Sequence, residues 1–184
     1  MRPSLHNAWS SGRSKSGSSS PRLSVASPYT IEADRRDARL DKGESINALN
    51  SGFAATELNT ALISTPYPLP DGGTGTELSV RPDKFHEVFA ADVPQSTTDV
   101  AAAAQRPAAV NSFAESATAA AWHTIPSWDL ITVQDHVIDP GEQEFMAERA
   151  GAYTEQVDSS HAVTLSKPSV VTSLIEQAAQ AVSR

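Results

Sequence analysis

Hydrophobic residues change their spacing several times along this chain, and each change marks an element. Residues 45–59, Ser-Ile-Asn-Ala-Leu-Asn-Ser-Gly-Phe-Ala-Ala-Thr-Glu-Leu-Asn, read as a loop or a short helix interrupted by Gly52. Residues 65–76 combine three Pro with three Gly and read as irregular chain. Leu78 and Val80 then alternate with polar neighbours, which predicts a short strand over 77–80. Phe85, Val88 and Phe89, three and four apart, predict a helix over 83–90 with one buried face. Thr98 is a candidate cap for a second helix, from Asp99 to a break at Pro107. A third, Ala-rich helix is expected over 108–121.

Beyond Pro126 the pattern alternates between strand and helix. Residues 128–133 form an apolar run that ends at Gln134-Asp135. Asp139-Pro140-Gly141-Glu142 is a helix start, with Asp139 as cap, Pro140 in the first position and Glu142 three residues after the cap. That helix should show Phe145, Met146 and Arg149 on one side and stop at Gly151. Residues 153–157 read as the next strand. A last helix opens at Ser166 or Lys167, with Val170, Val171, Leu174, Ile175, Ala178 and Val182 along its apolar face. Strand–helix–strand–helix with short loops is the signature of a parallel α/β unit.

Composition narrows the picture. The 184 residues have room for one ordinary domain, and 39% hydrophobic residues suffice for a core. A net charge of −8 argues against nucleic acid or an anionic membrane surface as a partner. No apolar run is long enough to span a bilayer, so a soluble, cytoplasmic chain is expected. With no Cys there is no disulfide, thiolate nucleophile or Cys-based metal site. His86, His123 and His136 fit no zinc spacing, so neither metal nor cofactor is expected. Trp122 and Trp128 read as packing groups. Residues 1–36 differ from the rest: they carry ten Ser, six Lys or Arg, and only Glu32 and Asp34 as acids. Such a stretch has too little apolar surface to offset its ordering entropy and is read as disordered.

The candidate chemistry sits in two loops. Asp135 and His161 each lie just past a predicted strand, at the carboxyl edge where open α/β sheets collect functional groups. Adjacent strands are about 4.8 Å apart, so side chains from the two loops can meet. A carboxylate on one imidazole nitrogen fixes the tautomer and leaves the other nitrogen to take a proton from a hydroxyl. The bland alternative is that Asp135 caps a turn and His161 is a loop residue. Against both readings of an intact triad stands one fact: no Gly-x-Ser-x-Gly turn occurs in the 184 residues. Gly12-Arg13-Ser14-Lys15-Ser16 is a near miss, but no β-branched strand precedes Ser14 and no apolar helix follows it.

From about Asp37 onward the chain resembles the small α/β-hydrolase esterases of bacteria, relatives of the plant hydroxynitrile lyase and salicylate-esterase group. The matching segments are Leu40-Asp-Lys-Gly-Glu-Ser45, Arg81-Pro-Asp-Lys-Phe85, Phe89-Ala-Ala-Asp-Val-Pro94 and Ala104-Gln-Arg-Pro107. They continue through Ile125-Pro-Ser-Trp128, Gln134-Asp135, Phe145-Met-Ala-Glu-Arg-Ala-Gly151 and Ser159-Ser-His-Ala-Val163. The resemblance implies that Asp135 is a triad acid, His161 the triad base, and residues 65–121 a cap over the site. It departs at Asp129, where an aromatic is usual, at Asp139, and throughout residues 1–36, which match nothing in the family's nucleophile-bearing half.

The expected fold is therefore α/β: residues 37–184 as the C-terminal part of an α/β-hydrolase domain, behind a disordered tail over 1–36. By resemblance the chain is a serine hydrolase acting on a small-molecule carboxylic ester, inactive alone for want of a nucleophile elbow. The alternative is a non-catalytic, truncated chain acting through a partner or without function. In either case the strand over 128–133 lacks its inner neighbour, and its exposed edge offers a route to self-association. Translation of residues 1–36 in a shifted frame would account for a basic, strandless segment where the elbow belongs.

Overall fold

The computed structural model describes residues 39–183, so the Ser/Arg-rich tail and Ser14 lie outside the described residues. In chain order, α1 (Ile46–Asn50) is capped by Ser45, whose hydroxyl accepts from Ala48 N at 3.2 Å. Gly52 and its neighbours then turn the chain into α2 (Leu58–Ala61). Two strands follow, β1 (Leu62–Pro68) and β2 (Thr74–Val80), paired antiparallel from Leu62↔Val80 to Pro68↔Thr74. This corrects the expectation of irregular chain over 65–76. β1 is an edge strand in the order β1-β2-β3, so Pro66 and Pro68 can face away from the ladder. Gly72, at φ +85, makes the turn, and Gly75 leaves room for the Tyr67 ring across the ladder: a Cβ there would sit 2.6 Å from it.

Helix α3 (Pro82–Phe89) buries Phe85, Val88 and Phe89 as its spacing predicts, each worth roughly 1.5–3 kcal/mol of burial. Helix α4 (Gln95–Ala104) starts four residues before the expected Asp99. Thr98 is therefore not its cap. It is 1% exposed inside the first turn, where its hydroxyl donates to Gln95 O at 2.9 Å and meets His86 Nδ1 at 3.2 Å. The short β3 (Ala108–Ala109) pairs with β2, and α5 (Val110–Ala114) follows.

The predicted helix over 108–121 does not form as one piece. Beyond Ala114 the backbone leaves the helix, and Ala117 pairs with the segment after Leu40 instead: Ala117 N donates to Glu44 O at 2.7 Å and Gly43 N to Ala117 O at 2.8 Å. A single 3₁₀ turn, Ala121–His123, precedes the C-terminal half.

That half matches its pattern closely. Strand β4 (Trp128–Thr132) and β5 (Tyr153–Val157) pair in parallel, with α6 (Pro140–Ala150) between them. Asp139 caps α6 by accepting from Gly141 N at 2.8 Å, and Gly151 ends it at φ +58. Glu142 is buried rather than lying at the surface of the capping turn. A short α7 (Val163–Ser166) leads into α8 (Pro168–Val182). Leu174 and Ala178 of α8 pack on Trp128 and Leu130, one face of β4. Val171 is buried too, whereas Ile175 and Val182 of the expected apolar face are exposed. Met146 of α6 closes a second cluster with Leu40, Ile46 and Leu49. The largest cluster joins α3, α4, Val137 and Ala162, and so sets the helices of the N-terminal half against the loops that carry Asp135 and His161. Among the described residues, β4 has no strand partner other than β5, and no helix is long and apolar enough to cross a membrane.

Candidate active site

Strand β4 ends at Thr132, and the chain turns so that the Asp135 carboxylate points back into the fold. Its Oδ1 accepts from Val137 N at 2.8 Å and Ile138 N at 3.1 Å, which shapes the turn into α6. Its Oδ2 accepts from Thr132 Oγ1 at 2.8 Å, Gln143 Nε2 at 3.0 Å and His161 Nδ1 at 2.9 Å. The side chains of His161 and Asp135 are only 4% and 2% exposed. The structure thus brings together the two residues that the sequence pattern singles out. A carboxyl in such a place is pushed up by burial. The charge and hydrogen bond of His161, with the Ile138 and Val137 amides, more than offset this, and Asp135 lies below the ordinary carboxylate range.

His161 is held from its other side as well. The Phe89 ring meets its imidazole edge-on, with centroids 4.6 Å apart at 72°. Ala162 N donates to Phe89 O at 3.1 Å, and the loop residues Ser159 and Ser160 are 1% and 2% exposed. With Nδ1 directed at Asp135, the remaining ring nitrogen, Nε2, is the one able to exchange a proton with a reacting group.

Sequence reasoning missed several members of this site. Gln143 is the chief one: its Oε1 accepts from Thr132 N at 3.0 Å, and its Nε2 donates to Asp135 Oδ2 and to Ile138 O, both at 3.0 Å. Its position in the first turn of the helix after the acid, four residues past the cap, is the signal that points to it. Ser159 and Ser160 are visible in the sequence only as parts of matching segments, and Phe89 otherwise only as a helix-face residue. The other histidines lie elsewhere: His123 Nε2 is 2.7 Å from Asp41 Oδ1, and His136 Nδ1 is 3.4 Å from Glu57 Oε2. Among the described residues, no group of three or more His, Asp or Glu is placed to hold a metal ion.

Asp129, which stands where the resembled family has an aromatic, is paired. Arg39 Nη2 donates to its Oδ1 at 2.9 Å, and the Arg39 carbonyl accepts from Arg149. The guanidinium of Arg149 also donates to Glu44 Oε2 at 3.0 Å and lies over the Trp122 ring. A cavity of about 240 Å³ lies between α1, the β1–β2 hairpin and α6, lined by apolar side chains such as Ile46, Leu78, Phe113 and Met146 and by Asn50 and Glu142. Neither Asp135 nor His161 lines it, so it is separate from the pair.

A parallel strand pair with an acid and a His in consecutive loops at its carboxyl edge belongs to the α/β class, and solved structures specify it further. Polyneuridine aldehyde esterase matches with a TM-score of 0.62 at 16% identity, over 74% of this chain and 57% of that one. Tomato methylketone synthase I, solved with 2-tridecanone, matches with a TM-score of 0.56 at 14% identity, over 74% of this chain and 56% of that one. A methylesterase from Arabidopsis, MES16, matches with a TM-score of 0.54 at 18% identity, over 65% of this chain and 52% of that one. These are plant esterase-type α/β-hydrolase structures, and the chain carries part of that fold. It spans somewhat over half of their length. No family model and no curated protein matches it by sequence.

Proposed function

We propose that Asp135 and His161 are the acid and base of an ester-cleaving serine-hydrolase site whose hydroxyl nucleophile comes from outside these 184 residues. The observation that carries this reading is the buried 2.9 Å contact between His161 Nδ1 and an Asp135 carboxylate accepting from five donors. In the reaction, the nucleophile oxygen bonds to the ester carbonyl carbon while its proton passes to His161 Nε2. The alcohol leaves with that proton, giving an acyl-enzyme. Water repeats the sequence, releasing the carboxylic acid and restoring the hydroxyl. Asp135 stays ionised throughout and stabilises the imidazolium.

Without an elbow in its 184 residues, the chain alone is expected to turn over no carboxylic ester and to take up no fluorophosphonate probe. Stoichiometric labelling at any Ser of this chain would refute the external-nucleophile clause. In any form that does cleave an ester, His161→Ala is expected to abolish turnover. Activity surviving that change ends the reading.

Among the described residues β4 pairs with β5 alone, which favours a second reading, a non-catalytic chain that docks a strand of a partner or of another copy at the other edge. Sedimentation of the chain as a monomer at high concentration would exclude the second copy.

A further inference from the structure

We infer that Asp92 is a positioning residue that clamps the loop bearing His161 and so fixes the imidazole on Asp135. Asp92 lies in the turn between α3 and α4, a turn anchored by the buried side chains of Phe89, Ala90 and Val93. From this rigid base its carboxylate reaches 67 residues along the chain to the loop after β5. Ser159 Oγ donates to Asp92 Oδ2 at 2.9 Å, and Ser160 Oγ donates to Asp92 Oδ1. The Ser166 hydroxyl, from the end of α7, stands 2.8 Å from Ser159 Oγ and extends the chain of hydroxyls. Burial pushes the Asp92 carboxyl up, but the hydroxyls of Ser160, Ser166 and Ser159 more than offset it.

The consequence falls on the next residue. Ser159 and Ser160 immediately precede His161, and Ala162 immediately follows it, donating from N to Phe89 O at 3.1 Å. Residues 89–92 therefore grip the backbone on both sides of the imidazole, and the Phe89 ring closes against its edge. Asp135 holds the ring directly, while Asp92 acts through the main chain and touches no reacting atom. Without this acceptor the buried Ser160 hydroxyl would be left seeking a new one, while Ser159 Oγ would turn to Ser160 O at 3.1 Å or Ser166 Oγ at 2.8 Å, and the loop would move to satisfy them. The kinetic importance of this clamp rests on the hydrolase reading above; its effect on His161 does not.

The test uses the full chain with Asp92→Asn and Asp92→Ala, read by NMR and amide hydrogen exchange. In the parent, the proton between His161 Nδ1 and Asp135 should give a protected low-field resonance. Asp92→Ala is expected to broaden it away and to speed exchange at Ala162 about tenfold. Asp92→Asn, which keeps a neutral acceptor of the same shape, should fall between parent and Ala. Ala178, buried in α8 away from the clamp, is the control for global unfolding. Retention of the resonance and of Ala162 protection in both variants would overturn the proposal. Equal acceleration at Ala162 and Ala178 would overturn it as well, since Asp92 would then only stabilise the fold. No substrate enters the measurement, so a failed ester assay and a failed clamp are distinguishable.

Discussion

The start of β4 and the loop beyond its end each hold an Asp largely withdrawn from solvent and paired with a cation-forming side chain, and the two carboxyls answer burial in opposite ways. Asp129 is 19% exposed and Asp135 2% exposed, so burial alone would raise the second further. The reverse holds. Asp129 is pushed above its ordinary value by burial, which Arg39 only partly opposes, whereas Asp135 lies below it. The difference is in the donors. Among the described residues Asp129 receives a hydrogen bond from Arg39 alone, and its Oδ2 and the Arg39 Nε are buried without partners. Asp135 receives five, two of them from backbone amides of its own turn. Asp135 is held down first by the charge and hydrogen bond of His161, with the Ile138 and Val137 amides adding to them, and that sum outweighs its burial where Arg39 does not outweigh the burial of Asp129.

The largest expected effect comes from emptying the well-satisfied site. Asp135→Ala takes the acceptor from His161 Nδ1 and from the Val137 and Ile138 amides, while Thr132 and Gln143 keep each other and Ile138 O, and should cost about 3–5 kcal/mol in urea unfolding. A loss under about 1 kcal/mol would mean that these donors find other partners, and the comparison would collapse.

Asp129→Ala or Arg39→Ala should each cost about 3 kcal/mol, because each strands a buried charge. Replacing both with apolar residues, Asp129→Leu with Arg39→Met, is expected to restore or exceed parental stability. The same double replacement at Asp135 and His161 should not, since the loop amides would remain unpaired. Equal recovery at both sites would show that the two pairs differ only in name.

A smaller change probes the donors themselves. Gln143→Leu removes one donor from Asp135 and the acceptor of Thr132 N, at a cost of roughly 1–2 kcal/mol. It should also move the Asp135 carboxyl upward, toward the behaviour of Asp129, in a carbon-detected NMR titration. An unmoved Asp135 would assign the lowering to His161 alone.

The contrast also explains which parts of the molecule could be read from its sequence. The signals over 128–182 were local: an apolar strand, an Asp-Pro start, a Gly stop and a second strand. They place Asp135 and His161 at one sheet edge from sequence alone. Over 62–121 the deciding interactions are distant. Pro66 and Pro68 are compatible with a strand only because β1 is an edge. The Ala-rich stretch leaves its helix after Ala114 because Ala117 bonds to Gly43 and Glu44. Asp92 is invisible for the same reason: its partners lie 67 and 68 residues away. Arg39 as the partner of Asp129, 90 residues on, was equally beyond a local reading.

The smallest effect gives the sharpest form of the comparison, because it has a sign. The ordinary aspartate value is 3.8, and Asp129 lies above it when folded. Between the two values the folded chain binds more protons than the unfolded one, so stability from Asp129 is full below 3.8 and is lost as pH rises through its folded value. Asp135 runs the other way: its contribution is full above 3.8 and is lost as pH falls through its lowered folded value. Asp83 and Glu87, held low by Arg81 and Lys84, share that second limb, so the quantity to read is parent minus variant. Asp129→Asn should flatten the falling limb just above 3.8, and Asp135→Asn the rising limb just below it. Neither change can exceed about 1.4 kcal/mol per pH unit, the limit for one proton. Urea midpoints measured from pH 2.5 to 6, in steps of about half a unit, resolve slopes of that size. If both variants flatten the same limb, the two carboxyls are equivalent and the count of donors does not set the sign.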